Sequence, residues 1–168
     1  AAVNLVAVRN VDDLGLRVAT ERYVGSFQNR HGRRWDCLAE VAAWSRTHKD
    51  HLPILIALHT NDAKTPMPGA TQPLPFDADA FADLDAEIRS AFQANELITP
   101  DQIKGAHADL REAVQAGAWP TLGEARGKVM FLLDDKAEKT GLYTGPAKSL
   151  QGRPMFVATD ENSPLASF

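Results

Sequence analysis

Five apolar residues in a row, Val129–Leu133, stop at two carboxylates, Asp134 and Asp135. They close the stretch WPTLGEARGKVMFLLDD (119–135), which constrains the fold more than any other part of the chain. An unbroken apolar run of strand length belongs to a strand buried on both faces, as in parallel sheets covered by helices. The residues before it read as a short helix. Thr121 and Glu124 have the spacing of a reciprocal capping box, in which each side chain satisfies an orphan N–H at the helix start. Gly127 then supplies the stop. The carboxylates stand where the strand must leave the core, and in parallel α/β architectures chemistry collects at the carboxyl ends of strands.

The same pattern recurs along the chain. Residues 4–8 and 154–158 read as strands, and 54–58 is a second fully apolar one, followed by His59-Thr60-Asn61-Asp62. Residues 35–48 carry apolar positions at helical spacing. So do 77–93, through Phe81, Leu84, Ile88 and Phe92, and 109–116, through Leu110 and Val114. Thr99-Pro100 is a helix start, with Thr99 as N-cap and Pro100 at the first helical position. Residues 9–34 read as a long irregular segment, 65–76 as a proline-rich loop, and 136–152 as a Gly/Pro/Lys-rich loop. Strands alternating with helices predict an α/β fold with a parallel sheet, either a small open sheet or half of a (β/α)8 barrel.

Composition narrows the function classes. A chain of 168 residues with 44% hydrophobic and 24% charged residues is one globular domain with a real core. A net charge of −4 argues against a nucleic-acid partner, which needs a clustered basic surface; residues 30–34 offer only a short basic patch. No apolar run approaches the roughly 20 residues that span a bilayer. The chain opens on Ala-Ala-Val-Asn-Leu-Val, without an initiator Met or a charged leader region, as a mature or cut product would. One cysteine cannot form an intrachain disulfide. Nucleophile-elbow, phosphate-loop, dinucleotide and zinc spacings are absent.

If the strands are parallel, one rim collects Arg9 and Asn10, His59 to Asp62, Asp134 and Asp135, and Thr159 to Glu161. Oxygen donors in that number suit a hard cation such as Ca2+, and an imidazole near carboxylates suits acid/base work. Solvation of strand ends accounts for any one of these residues taken alone.

The segments AWSRTHKDHLPILIALHTND, PLPFDADAFADLDAEIRSAF, ELITPDQIKG, LREAVQAGAWPTLGEARGKVMFLLDD and LQGRPMFVATDENSPLASF, in this order, resemble the bacterial Ca2+-dependent phosphatidylinositol-specific phospholipase C family. The resemblance implies parallel (β/α) units forming about half of a TIM-like (β/α)8 barrel, with residues 1–168 as a single partial domain. It implies a phosphodiesterase acting with Ca2+ on a phosphoinositide lipid or glycerophosphodiester, at a membrane surface met transiently, in a secreted or extracytoplasmic protein. His59 becomes the candidate acid/base residue, His59 and Asp62 the candidate metal ligands, and Arg9, Asn61 and Asp134 the candidate substrate contacts. The family's His-Asn motif and the acidic ligands of its second strand have no counterpart in this chain. Its second histidine is expected near Ala7 and Val8, and the lysine of its next strand end has become Asn61. The expectation is therefore weak turnover from this chain alone, with a non-catalytic lipid- or phosphate-binding module as the alternative.

Overall fold

The computed structural model describes residues 2–9, 16–20, 37–62 and 75–168. Five strands form one sheet in the order β2-β1-β3-β4-β5. They are β1 (Ala2–Arg9), β2 (Leu16–Thr20), β3 (Ile54–Thr60), β4 (Val129–Leu133) and β5 (Met155–Val157). The helices are α1 (Cys37–Thr47), α2 (Ala78–Ala91), α3 (Pro100–Lys104), α4 (Leu110–Gln115), α5 (Leu122–Ala125) and α6 (Ala137–Thr144), with a 3-10 turn at Ala94–Glu96.

Strands β1, β3, β4 and β5 are mutually parallel, as the alternation predicts. The long irregular segment expected at 9–34 is corrected by β2, which pairs antiparallel with β1 from Leu5↔Thr20 to Arg9↔Leu16 and makes the sheet mixed. Five residues reading LRVAT, with an arginine inside, give too weak a periodic signal to declare a strand without its partner. The expected loop at 136–152 is likewise corrected in its first half by α6. That helix has no side-chain N-cap bond and carries Gly141 in its interior. Local propensity therefore argues against it, and burial of Tyr143 (0% exposed) anchors it instead. Most of the expected loop at 65–76, the basic residues 30–34 and Asn10 lie outside the described residues.

Strand alternation sorts the core. Ile56 and Leu58 of β3 and Val129, Phe131 and Leu133 of β4 are buried and join one cluster with Phe81, Leu84 and Ile88 of α2. Phe131 meets Phe92, just past α2, edge-on at 5.6 Å. Each such fully buried side chain contributes about 1.5–3 kcal/mol by area removed from water. The alternate residues point to the opposite face. There Phe156, paired in register with Leu132, is covered by Trp119 at 5.5 Å and by Phe168 at 5.8 Å.

The helix ends follow their sequence signals. Asp77 accepts from the Ala80 amide at 2.9 Å and Asp109 from the Glu112 amide at 2.8 Å. The capping box closes as expected, with the Thr121 amide donating to Glu124 Oε2 at 2.9 Å. Thr99 caps α3 with Pro100 at its first turn. Beneath the sheet, Asp85 of α2 (3% exposed) is held by Tyr143 Oη at 3.0 Å and Arg153 Nη1 at 2.8 Å. The Tyr143 hydroxyl accepts in turn from the Met155 amide at 3.2 Å, so one polar knot ties α2, α6 and β5 together. Burial pushes the Tyr143 hydroxyl far above its ordinary range.

Candidate functional site

Register alone builds the first part of the site. Leu58 of β3 pairs with Leu133 of β4, so the next residues of each chain, His59 and Asp134, fall side by side. The two leucines belong to the helix-covered core, so their successors turn to the other face of the sheet. His59 Nε2 lies 3.4 Å from Asp134 Oδ2, with the two side chains 35% and 49% exposed. The two groups lie within ion-pair range of each other, and both stay open to solvent.

One residue further, alternation returns the side chains to the helix side. The Thr60 amide and hydroxyl donate to Asp135 Oδ2 at 2.8 and 2.5 Å, and the Lys136 amide donates to Oδ1 at 2.8 Å. Burial acts to push the Asp135 carboxyl up. The Thr60 and Lys136 donors, with the nearby Lys139 charge, outweigh it and hold the group below its usual value. Asp135 therefore anchors the β4 exit, with both oxygens accepting hydrogen bonds.

Asp62 lies two residues past β3. Its Oδ2 is met by the Lys139 ammonium and by the Phe76 amide at 3.1 Å, and Lys139 also donates to the Phe76 carbonyl at 3.1 Å. The Lys139 hydrogen bond, followed by that from Phe76, holds the Asp62 carboxyl below the ordinary range. Asn61 is half-buried between these two arrangements.

Of the expected site residues, His59 and Asp134 come together, and Asp62 stands apart with Lys139. Arg9 pairs by its backbone with Leu16 of β2. Leu5 is level with Thr60, so Arg9 is four residues further along its strand, about 13 Å at the usual rise. The segment after β5 is occupied locally: Asp160 Oδ1 accepts from the Asn162 amide at 2.9 Å, and the Glu161 carbonyl from Arg111 Nε at 2.9 Å. Thr60 was placed on the rim by the sequence but given no role, and one rim residue, Lys139, was missed. Lys139 was hidden because its segment reads as loop; a helix beginning directly after the Asp134-Asp135 pair would have put it in the first turn.

The rim was tested against calcium. Ca2+ takes six to eight oxygen ligands. Among the described residues, no group of three or more His, Cys, Asp or Glu side chains is arranged to hold a metal ion. Both Asp135 oxygens already accept hydrogen bonds, and Asp62 faces an ammonium. The residues described do not fit a calcium site.

Comparison with known proteins gives the scaffold its family. Residues 26–168 match the family model described as phosphoinositide phospholipase C, Ca2+-dependent. The chain belongs to that family. Among solved structures, this phospholipase C family member resembles a Ca2+-dependent phosphatidylinositol-specific phospholipase C from Streptomyces antibioticus, at 24% identity and TM-score 0.61 over 93% of this chain and 55% of that one. It also resembles a calcium-dependent phosphoinositol-specific phospholipase C from a Gram-negative Pseudomonas species. Here the identity is 18% and the TM-score 0.65, over 99% of this chain and 59% of the other. A form of the Pseudomonas protein described as a myoinositol complex gives 20% identity and TM-score 0.62, over 94% and 54%. The chain thus spans a little over half the length of these structures. No curated protein matches it by sequence. Among the described residues, no helix is long and apolar enough to cross a membrane.

Proposed function

We propose that the chain is part of a phosphoinositide phospholipase C-like phosphodiesterase, built on about half of a TIM-like (β/α)8 barrel. The observation that carries the mechanism is the His59–Asp134 pair, facing away from the helix layer at the carboxyl ends of two adjacent parallel strands. Cleavage of the glycerophosphoryl–inositol bond needs a base to take the proton of the attacking inositol hydroxyl and an acid to protonate the departing diacylglycerol oxygen. In this reading His59, beside Asp134, serves as the acid that gives the second proton. Asn61 and Arg9 serve as contacts to the phosphate or inositol. The substrate is a phosphoinositide lipid or related glycerophosphodiester, reached by transient contact with a membrane surface outside the cytoplasm.

Calcium enters by the family's description and the names of the structural relatives. When bound it would neutralise charge developing on the phosphoryl group. The sequence expectation names His59 and Asp62 as its ligands. Asp62 is paired with Lys139, and no group of three or more His, Cys, Asp or Glu side chains is assembled among the described residues, so no step is routed through the ion.

Neither of the family's two histidines has a counterpart in this chain, and the loss of either costs about 10²–10⁴ in rate. The test is release of water-soluble inositol phosphate from phosphatidylinositol vesicles, with and without Ca2+, by the wild type and His59→Ala. Little or no release is expected from this chain, and any residual release should fall further in His59→Ala. Robust Ca2+-dependent release overturns the weak-activity reading. The Lys139–Asp62 pairing favours a second reading, a non-catalytic lipid- or phosphate-binding module, because it commits an acidic rim residue to structure. Co-sedimentation with the same vesicles in the absence of hydrolysis supports that one.

A further inference from the structure

We infer that the Lys139 ammonium is the built-in cation of Asp62, so that in this chain Asp62 is a latch and not a ligand for calcium. The inference goes beyond the proposed activity and holds whether or not the chain turns over lipid.

Three observations carry it. The Lys139 side chain is 14% exposed and that of Asp62 32%, so both charges are partly withdrawn from water. A charge in that position needs a partner, and removing one member of such a pair strands the other. Next, the pairing is part of a closed figure. Asp62 Oδ2 takes both the ammonium and the Phe76 amide, while the ammonium also reaches the Phe76 carbonyl. The two ends of the segment between β3 and α2 are thereby clamped to each other and to α6. Finally, the clamp is rooted in the core. Phe76 is 1% exposed and packs on Phe81 at 5.1 Å, which meets Tyr143 of α6 at 5.4 Å.

A divalent ion arriving at Asp62 would have to expel Lys139 and break this figure. It would find no three-residue set of carboxylate, imidazole or thiolate ligands among the described residues to replace what it broke. Lys139 instead supplies a fixed single charge from the first turn of α6.

The test uses thermal melts of the whole chain, in chelator and in millimolar CaCl2, with circular dichroism to check folding. Lys139→Met and Asp62→Asn are each expected to lower Tm by roughly 3–8 °C, and the double variant to fall no further than the worse single one. Lys139→Arg, which keeps the charge, is expected to retain most of the wild-type Tm. Calcium is expected either to leave the wild-type Tm unchanged or to shift it equally in wild type and Asp62→Asn. A calcium-dependent rise in wild-type Tm that a folded Asp62→Asn loses overturns the inference. So does a Lys139→Met variant as stable as the wild type, or strictly additive losses in the double variant. Should Asp62→Asn fail to fold, the contrast between Lys139→Arg and Lys139→Met decides: equal Tm values for the two overturn the latch. None of these readouts depends on lipid turnover, so failure here is distinct from failure of the phosphodiesterase reading.

Discussion

Replacing Gly127 by alanine should be among the most damaging single-methyl additions this chain can receive. Gly127 has φ +71, in the left-handed region, where an L-residue costs about 1–2 kcal/mol. A Cβ built there would sit 2.5 Å from the Lys49 carbonyl oxygen, which is backbone and cannot swing away. The Gly127 amide donates to the His51 carbonyl at 3.0 Å, so retreat would break a bond that ties the α5–β4 turn to the segment before β3. Forced overpacking of this kind costs a further 1–3 kcal/mol or so, for a total of about 2–5 kcal/mol. At about 2–4 °C per kcal/mol for a domain of this size, Tm should fall by roughly 4–20 °C. Two other glycines separate the terms. Gly117 has φ +78 but nothing within 4 Å of a built Cβ, so Gly117→Ala should show the backbone cost alone, about 1–2 kcal/mol. Gly123 lies inside α5 and its Cβ would meet only Thr121 Oγ1 at 3.9 Å. Gly123→Ala should therefore stabilise by up to about 1 kcal/mol. Urea denaturation of the three variants gives the order directly. A Gly127→Ala variant no less stable than Gly117→Ala would refute the close-approach argument.

Tyr143→Phe strands the Met155 amide and removes a donor from Asp85, costing about 1–3 kcal/mol by chemical denaturation; a loss under half a kcal/mol counts against the polar knot. Phe131→Ala, at 0% exposure, should cost about 3–5 kcal/mol in the same assay. Acid should act on Asp62 and Asp85 in opposite senses. The folded Asp62 carboxyl titrates below its ordinary value, so its stabilisation is present above about pH 4 and lost as pH falls through the folded value. The gap in Tm between wild type and Asp62→Asn should therefore close in acid. Burial, outweighing Arg153 and Tyr143, raises the Asp85 carboxyl. Its contribution is greatest below the ordinary value and shrinks as pH rises through the raised one, so the gap to Asp85→Asn should narrow upward from about pH 4. Parallel trends in the two variants would contradict these directions.

Much of the fold was readable because its signals are local. The apolar runs at 54–58 and 129–133, the helix 77–93 and the caps at Thr99 and Thr121 each rest on a few neighbouring residues, and each is present. The two misread segments lack such signals. β2 needs β1 to satisfy its backbone, and α6 needs the pocket that takes Tyr143, so both are held by residues distant in sequence.

The candidate site divides along the same line. The amino-acid sequence by itself put polar residues at the ends of buried strands and carried the family resemblance, because strand period and segment order are one-dimensional properties. Only the tertiary structure decided what each polar residue does. One step of register set His59 beside Asp134 on the open face and turned Thr60 and Asp135 inward. The packing of α6 brought Lys139 to Asp62 across 77 positions. A carboxylate reads the same in any sequence. Whether it is free to bind a cation depends on which partner the fold carries to within bonding distance, and that partner is set by three-dimensional contact.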